Sequence, residues 1–364
     1  MLTRRQMLFG AAVPALLGRP RRLAAAMTGL RQIAEARGLL FGSMVRGDVI
    51  GKDRAYGDMM ARECDLFVSR EAHFDYLEPH RGTFDFSAVE TELAWATAHQ
   101  MQFRGVSLLW GEHVPGWFAA LGSRDDAARA VTDHVGQVCR HFAGKMQSWD
   151  VVNEGLKLEN GRPDGLRTTA FLDRIGPDYI DLAFHAARDG DPKARLVYND
   201  FGVELDVSWQ RDKRRALLAL IDGMKKRNVP LDAIGLQSHL ALGSMAQFNE
   251  RGFADFLKEL GGRGLDILVS ELDVSDRDGP VDVHQRDAQV AAAYRRYLDV
   301  ALANPAVKIV ISWGLTDRDN WVESRQNPGR RADGHSRPLP FDTDYLPKPA
   351  YVAIADALNA AAPR

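Results

Sequence analysis

Two glutamates, Glu154 and Glu271, each follow a short apolar run typical of a buried β-strand. Two carboxyl groups that meet in a cleft are the minimum equipment for cleaving a glycosidic bond. One of them must be protonated to release the leaving oxygen, while the other attacks the anomeric carbon. Because each negative charge disfavours ionisation of the other, such a pair also raises the pKa of the acid towards the working pH. The chemistry depends on a fold that brings the two side chains together.

Short apolar runs alternate with amphipathic stretches through the 364-residue chain. The runs predict eight strands: Leu39–Val45, Leu66–Ala72, Phe103–Trp110, Ser148–Glu154, Arg195–Asp200, Ala233–Leu240, Ile267–Val274 and Val307–Leu315. The amphipathic stretches predict helices: Ser87–His99, Asp125–Phe142, Thr169–Arg188, Ser208–Arg227, Phe248–Leu260, Gln285–Leu302 and Pro349–Ala360. Strands that alternate with helices imply parallel pairing and right-handed crossovers. We therefore expect an α/β fold with a single (β/α)8 TIM barrel over residues 27–364.

A barrel of this type places its active site at the C-terminal ends of the strands. Polar and aromatic side chains are concentrated there, at more strand ends than turn formation alone requires. They are Glu71, His73, Trp110, Asn153, Glu154, Asn199, Asp200, Gln237, His239, Glu271, Asp273 and Trp313. Strands four and seven face one another across a barrel mouth, so Glu154 and Glu271 are expected to meet.

Charge and cysteine content exclude several other classes of protein. The formal net charge is −2, and basic and acidic residues are interspersed, unlike the clustered basic surface of a nucleic-acid-binding protein. Cys64 and Cys139 cannot build a disulfide framework and fit no metal-ligand spacing. We expect both to be buried thiols on helices, with no metal or organic cofactor and a monomeric protein.

The first 26 residues resemble a removable export signal of the twin-arginine type. Arg4 and Arg5 precede an apolar run, Phe9 to Leu17, that is too short to span a bilayer. Basic residues and then Ala24-Ala25-Ala26 follow it. The pattern predicts a mature protein that begins near Met27 and works in the periplasm or outside the cell, without membrane insertion.

Six segments of the chain, in order, carry the candidate site residues and their surroundings. They are Trp149-Asp150-Val151-Val152-Asn153-Glu154, Tyr198-Asn199-Asp200, Gly235-Leu236-Gln237-Ser238-His239-Leu240, Val269-Ser270-Glu271-Leu272-Asp273-Val274, Trp313-Gly314-Leu315-Thr316-Asp317 with Trp321, and Pro340-Phe341-Asp342 leading to Pro347-Lys348-Pro349-Ala350-Tyr351. Together they resemble glycoside hydrolase family 10, the xylanase family. The resemblance runs from about Leu39 to the C-terminus. It implies a retaining hydrolase with Glu154 as acid/base and Glu271 as nucleophile.

The resemblance also implies roles for the residues around the two glutamates. Asn153 should bond the 2-hydroxyl of the sugar being cleaved, and Gln237 should lie near the nucleophile. His239 is expected to bond Glu271, and Asp273 to orient His239. The full set expected to contact substrate is Asn153, Gln237, His239, Trp313, Trp321, Trp110, His73 and Arg70, with Asp273, Asp150 and Asn199 behind them.

The second and third strands depart from the family pattern. Where family members carry a Glu-Asn pair and then Lys before Trp, this chain has Ser69, Arg70, His73 and Phe74, and a shift of one residue would bring in Glu71. Val106 replaces a histidine that in the family pairs with the aspartate corresponding to Asp150. An unpartnered aspartate inside a barrel is costly, so we expect a substitute partner, with His73 as the candidate and water or backbone as the alternative.

The catalytic half of the site is therefore predicted to be intact, and the half that binds sugars on the non-reducing side of the cut to be rebuilt. Three hypotheses remain open. The first is an endo-1,4-β-xylanase that acts on β-1,4-xylan. The second is a related hydrolase of another β-linked glycan, either a decorated xylan or an exopolysaccharide. The third is a non-catalytic carbohydrate-binding barrel.

Overall fold

A computed structural model describes residues 28–324 and 327–364, so the predicted export signal, residues 1–26, lies outside the described residues. In the described part of the chain the strands are β1 (Leu40–Met44), β2 (Leu66–Ser69), β3 (Gln102–Gly105), β4 (Leu109–Trp110), β5 (Ser148–Asn153), β6 (Arg195–Asp200), β7 (Ala233–Leu236), β8 (His239–Ala241), β9 (Asp266–Ser275) and β10 (Val307–Ser312).

Helices surround these strands in the described part of the chain. They are α1 (Leu30–Glu35), α2 (Gly47–Ile50), α3 (Arg54–Glu63), α4 (Phe74–Leu77), α5 (Ser87–Ala98), α6 (Gly116–Ala119), α7 (Arg124–His141), α8 (Ala170–Ile175), α9 (Tyr179–Gly190), α10 (Ser208–Lys226), α11 (Glu250–Gly262), α12 (Val283–Ala303) and α13 (Pro349–Ala360). Some of these helices begin at a capping side chain: Ser123 caps α7, for example, and two aspartates occupy the first turn of that helix.

Eight of the strands form a closed parallel barrel. Their order is β1, β2, β3, β5, β6, β7, β9 and β10, and β10 pairs with both β9 and β1. The predicted (β/α)8 TIM barrel is confirmed. Because all eight strands are parallel, their C-terminal ends meet at one mouth, where the strand-end side chains converge.

Two predicted strands are interrupted near this mouth. The predicted Phe103–Trp110 strand is divided into β3 and β4, and β4 pairs only with β5. The predicted Ala233–Leu240 strand is divided into β7 and β8 at Ser238, which has a left-handed φ of 63°. The Glu204 carboxylate accepts a hydrogen bond from the Ser238 N–H, and the Ser238 hydroxyl contacts the Tyr297 hydroxyl at 2.6 Å. These tertiary contacts hold a conformation that strand propensity disfavours.

The predicted Thr169–Arg188 helix is two helices, α8 and α9. Gly176 between them has a φ of 98°, which L-residues rarely adopt. Pro177 follows, and it has no N–H for a helical hydrogen bond. The apolar periodicity continues across this break, so it did not reveal the turn.

The core has two layers. Inside the barrel, aliphatic side chains of the strands pack together, including Leu66, Val68, Val106 and Ile311. A larger layer fills the space between the strands and the helices. Both cysteines are buried, Cys139 within α7 and Cys64 directly after α3. In residues 28–324 and 327–364, no helix combines the length and hydropathy of a membrane span.

Candidate active site

A cleft of about 850 Å³ opens at the C-terminal ends of the barrel strands. Every residue that the sequence predicts to contact substrate lines it, together with both glutamates. These are Arg70, His73, Trp110, Asn153, Glu154, Gln237, His239, Glu271, Trp313 and Trp321. The structure therefore brings the whole predicted set into one space.

Glu271 lies on β9 and is held by two donors from neighbouring strands. Asn199 Nδ2 donates to Glu271 Oε1 at 2.7 Å, and His239 Nε2 lies 3.2 Å from Glu271 Oε2. Both oxygens are thus oriented, and the side chain is only 7% exposed.

His239 connects Glu271 to a second carboxylate. Its Nδ1 lies 3.1 Å from Asp273 Oδ2, and the Trp321 indole N–H donates to the same oxygen. Burial alone would lower the pKa of His239, but the Asp273 and Glu271 carboxylates raise it to about 10. The predicted carboxylate–imidazole–carboxylate chain is present, with an imidazolium at its centre and Trp321 at its far end.

Glu154 follows β5 in a different environment. Its φ of 54° turns the side chain out of the strand direction. Arg167 Nη2 donates to Glu154 Oε2 at 2.7 Å, and Gln237 Nε2 donates to Oε1 at 3.1 Å. Burial raises the pKa of Glu154, assisted by the charges of Asp200 and Glu271, while Gln237 and Arg167 oppose the rise. The two glutamates therefore differ: one is raised in pKa, and the other faces an imidazolium.

Amide side chains join the two glutamates into one network. Asn199 Nδ2 and Gln237 Nε2 both donate to Asn153 Oδ1, at 3.0 and 3.3 Å. Since the Asn153 oxygen is occupied by protein donors, its Nδ2 group is left to donate into the cleft. Gln237 was expected beside the nucleophile, but its hydrogen bonds go to Glu154 and Asn153.

Asp150 has a different partner from the one predicted. The Arg104 guanidinium on β3 forms a fully buried ion pair with Asp150 and donates to Ser148 Oγ at 2.6 Å. The prediction of His73 as the partner is wrong. His73 Nδ1 instead accepts a 3.3 Å hydrogen bond from the Ser107 N–H, and the ring stacks on His113. A guanidinium on the adjacent strand β3 occupies the aspartate, so His73 is not needed there.

Residues 29–357 match the family described as glycosyl hydrolase family 10. The chain belongs to glycosyl hydrolase family 10. It is 31% identical over 307 residues to endo-1,4-beta-xylanase B of Thermotoga neapolitana, which covers 84% of this chain and 83% of that relative. It is therefore a glycoside hydrolase.

Solved structures of family 10 superpose over nearly the whole described chain. Native xylanase 10B from Thermotoga maritima gives a TM-score of 0.81 at 28% identity, covering 91% of this chain and 98% of that one. Xylanase 10B from Thermotoga petrophila RKU-1, crystallised in complex with xylobiose, gives 0.80 at 28% identity, covering 91% and 97%.

Sequence reasoning missed several residues of this glycoside hydrolase site. Arg167, which donates to Glu154, lies in the loop after β5, where no spacing rule marks a basic residue as a partner of Glu154. Trp209 is 44% exposed and packs over Gly202, where a Cβ atom would come within 2.6 Å of the indole. Trp209 lines the cleft, as does Phe201. Only the exposed aromatic ring at the start of α10 could have signalled this sugar-sized platform.

Replacing Arg167 with methionine should move the basic limb of the kcat/KM pH profile of this hydrolase upwards. The guanidinium stabilises the Glu154 anion, so its loss raises the pKa of Glu154 further, by roughly one pH unit. Arg162→Met is the matched control, because Arg162 lies in the same loop but pairs with Asp164 at 2.7 Å. An unmoved limb in the Arg167 variant would contradict the assignment of that limb to Glu154.

Replacing Arg104 with methionine should destabilise the enzyme by roughly 3–5 kcal/mol at pH 8, because it removes the buried partner of the Asp150 carboxylate. The pKa of Asp150, already raised to about 7 by burial, then rises further. The additional rise costs stability only at pH values where Asp150 of the unmutated enzyme is ionised, so the deficit should be larger at pH 8 than at pH 5, with the increase above about pH 7. Urea unfolding measures it, and the Arg104→Met/Asp150→Asn double variant should recover part of the loss. Equal deficits at both pH values would argue against the pairing.

Proposed function

We propose that this family-10 hydrolase cleaves the backbone of β-1,4-xylan, within the chain, with retention of anomeric configuration. The observation that carries the proposal is the contrast between its two cleft glutamates. Glu154 has a raised pKa and serves as the acid, while Glu271 contacts the His239 imidazolium and serves as the nucleophile. The substrate assignment is supported by the xylanase relatives and by the xylobiose complex of the Thermotoga petrophila enzyme.

In the first step the Glu271 carboxylate attacks the anomeric carbon while Glu154 protonates the leaving oxygen. The Asn199 amide and the imidazolium hold Glu271 in position. Asn153 Nδ2 donates to the 2-hydroxyl of the sugar, a contact that strengthens as charge develops on the ring. Trp313 and Trp321 supply the apolar wall and roof around this sugar.

In the second step Glu154, now a carboxylate, removes a proton from water, which attacks the covalent glycosyl-enzyme. Arg167 assists this half of the cycle, because a cation beside Glu154 stabilises its anionic form. Burial favours the neutral form that the first step needs. The two opposing influences let one residue alternate between acid and base.

The test is hydrolysis of xylohexaose followed by proton NMR from the first minutes. A retaining enzyme releases the new reducing ends as the β-anomer, so the β signal should first rise above the equilibrium ratio set by the reducing end of xylohexaose and then relax by mutarotation. Chromatography should show xylobiose and xylotriose from plain xylan, with Glu271→Ala as the control for contaminating activity. An early rise of the α signal above that ratio would contradict double displacement, and no product from plain xylan would contradict the substrate.

We also propose that the protein is exported through its twin-arginine-type N-terminus, residues 1–26, and acts as a monomer outside the cytoplasm. The paired Arg4 and Arg5 before a short apolar run support the route. Replacing both arginines with lysine should leave the precursor inside the cell, and the intact mass of the exported protein gives the cleavage point. Light scattering of the exported protein tests the monomer.

A further inference from the structure

Arg70 lies where two depressions of the surface meet. It lines the catalytic cleft, and it also lines a smaller depression of about 180 Å³ bounded by the segment from Met44 to Asp48, Glu71 and Tyr76. The side chain is half-buried. A residue placed in this way faces whatever extends from the cleft past the non-reducing side of the cleaved sugar.

The Arg70 guanidinium has no hydrogen-bond or ion-pair partner among the residues that the structure describes. Arg46, on the rim of the same small depression, pairs with Asp48 at 2.7 Å and with Asp319 at 3.4 Å. Glu71 lines only the small depression and is not paired with Arg70. Of the described residues that line the catalytic cleft, Arg70 is the sole lysine or arginine. Its five N–H groups are therefore available to a ligand.

The residues beside Arg70 in the cleft add donors but no charge. We call Arg70, His73, Val106 and Trp110 the glycone wall. Burial, together with the charges of His113 and Arg70, holds the pKa of His73 well below its ordinary value, so the ring is neutral. Since its Nδ1 accepts from the Ser107 N–H, the proton sits on Nε2.

Two of these buried donors lack a protein acceptor. Neither His73 Nε2 nor Trp110 Nε1 has a hydrogen-bond partner in the described chain. Buried polar groups in native proteins are nearly always satisfied. Unsatisfied N–H groups in the wall of a cleft point to a ligand that brings oxygen acceptors, and the adjacent guanidinium points to a ligand that brings negative charge.

We propose that the glycone wall binds a sugar carboxylate, with Arg70 as the anion-binding residue and the N–H groups of His73 and Trp110 as donors to neighbouring oxygens. The substrate would then be an acidic β-glycan, one that carries uronic acid on its non-reducing side of the cut. This rests on the proposed function, because it specifies the glycan that the same cleft cleaves. Arginine suits this role, since its planar fork pairs with both oxygens of a carboxylate.

The test is calorimetric binding to the Glu271→Ala chain, which cannot turn over its ligand. One probe is xylotriose carrying a glucuronic acid substituent, and its control is the same compound with the carboxyl reduced to an alcohol. A second pair is cellobiouronic acid and cellobiose, which places the carboxylate in the backbone. In one of the two pairs the acid form should bind about tenfold more tightly than its neutral control. A preference in the xylotriose pair would indicate a uronic acid substituent, and a preference in the cellobiouronic acid pair would indicate a uronic acid in the backbone.

Adding Arg70→Gln should abolish that preference. Adding Arg81→Gln instead should leave the preference for the acid form intact. This substitution removes the same charge outside the cleft, where Arg81 pairs with Asp126. Equal affinity for acid and neutral forms, or an unchanged preference in the Arg70 variant, would overturn the proposal. Turnover by the unmutated enzyme distinguishes a failure of the carboxylate-site proposal from a failure of the proposed xylanase function. Hydrolysis of plain xylan without an acid preference would refute only the carboxylate site, whereas an acid preference without hydrolysis of any xylan would refute only the xylanase assignment.

Discussion

An enzyme in which Glu271 is replaced by alanine should lose xylan hydrolysis by a factor on the order of 10⁵, because the proposed mechanism forms the covalent intermediate on this carboxylate. Added azide should partly restore turnover of aryl xylosides and give the α-xylosyl azide, since a small anion enters the space that the carboxylate vacates. The product configuration, read by NMR, places the missing nucleophile on the α face of the sugar.

Glu159→Ala is the matched control for this deletion. Glu159 is an exposed glutamate in the loop after β5, outside the hydrogen-bond network of the cleft. That variant should retain full activity. Thermal unfolding of both variants separates a chemical loss from a loss of fold. A Glu271 variant that is folded and still cleaves xylan at more than a hundredth of the normal rate would refute the nucleophile assignment.

Replacing Glu154 with glutamine should slow xylan cleavage by about 10²–10⁴-fold in kcat/KM, because the amide cannot protonate the leaving oxygen. An aryl xylobioside with a dinitrophenol leaving group needs no such proton, so its first step should be nearly unaffected. Its second step lacks a base, and the reaction should therefore show a burst followed by slow turnover. Equal losses on xylan and on the aryl substrate would argue against the acid role.

The same variant should lose the basic limb of the kcat/KM profile. In the proposed mechanism Glu154 acts when protonated, so activity should fall as the pH passes above its pKa, which burial raises above the ordinary value of a carboxyl group. Glutamine does not titrate, and the limb should be absent. A persistent limb would mean that another group, such as the His239 imidazolium, controls it.

The barrel and the catalytic half of the cleft could be predicted because they depend on local patterns. Eight apolar runs alternate with amphipathic stretches, and seven of the runs carry polar or aromatic side chains at the same end. Parallel pairing then brings Glu154, Asn199, Gln237 and Glu271 to one mouth without any knowledge of long-range contacts.

The partners of Asp150 and Glu154 could not be predicted in the same way. Arg104 interrupts the apolar strand β3, and a charge within such a run requires a buried partner. That signal was available, but the choice between Arg104 and His73 depends on which of the two side chains reaches the Asp150 carboxylate. Arg167 lies in a loop, where periodicity carries no information. The break at Ser238 is held by Glu204 and Tyr297, both remote in sequence.

The amide network restricts how this active site can change during evolution. Asn199 ties Asn153 to Glu271, and Gln237 ties Asn153 to Glu154, so a substitution at any one of them disturbs at least one partner from another strand. The side chain of Arg70 shares no bond with this group. A lineage can therefore exchange the glycone wall one residue at a time and try new polysaccharides, while the machinery that breaks the bond is inherited as a block.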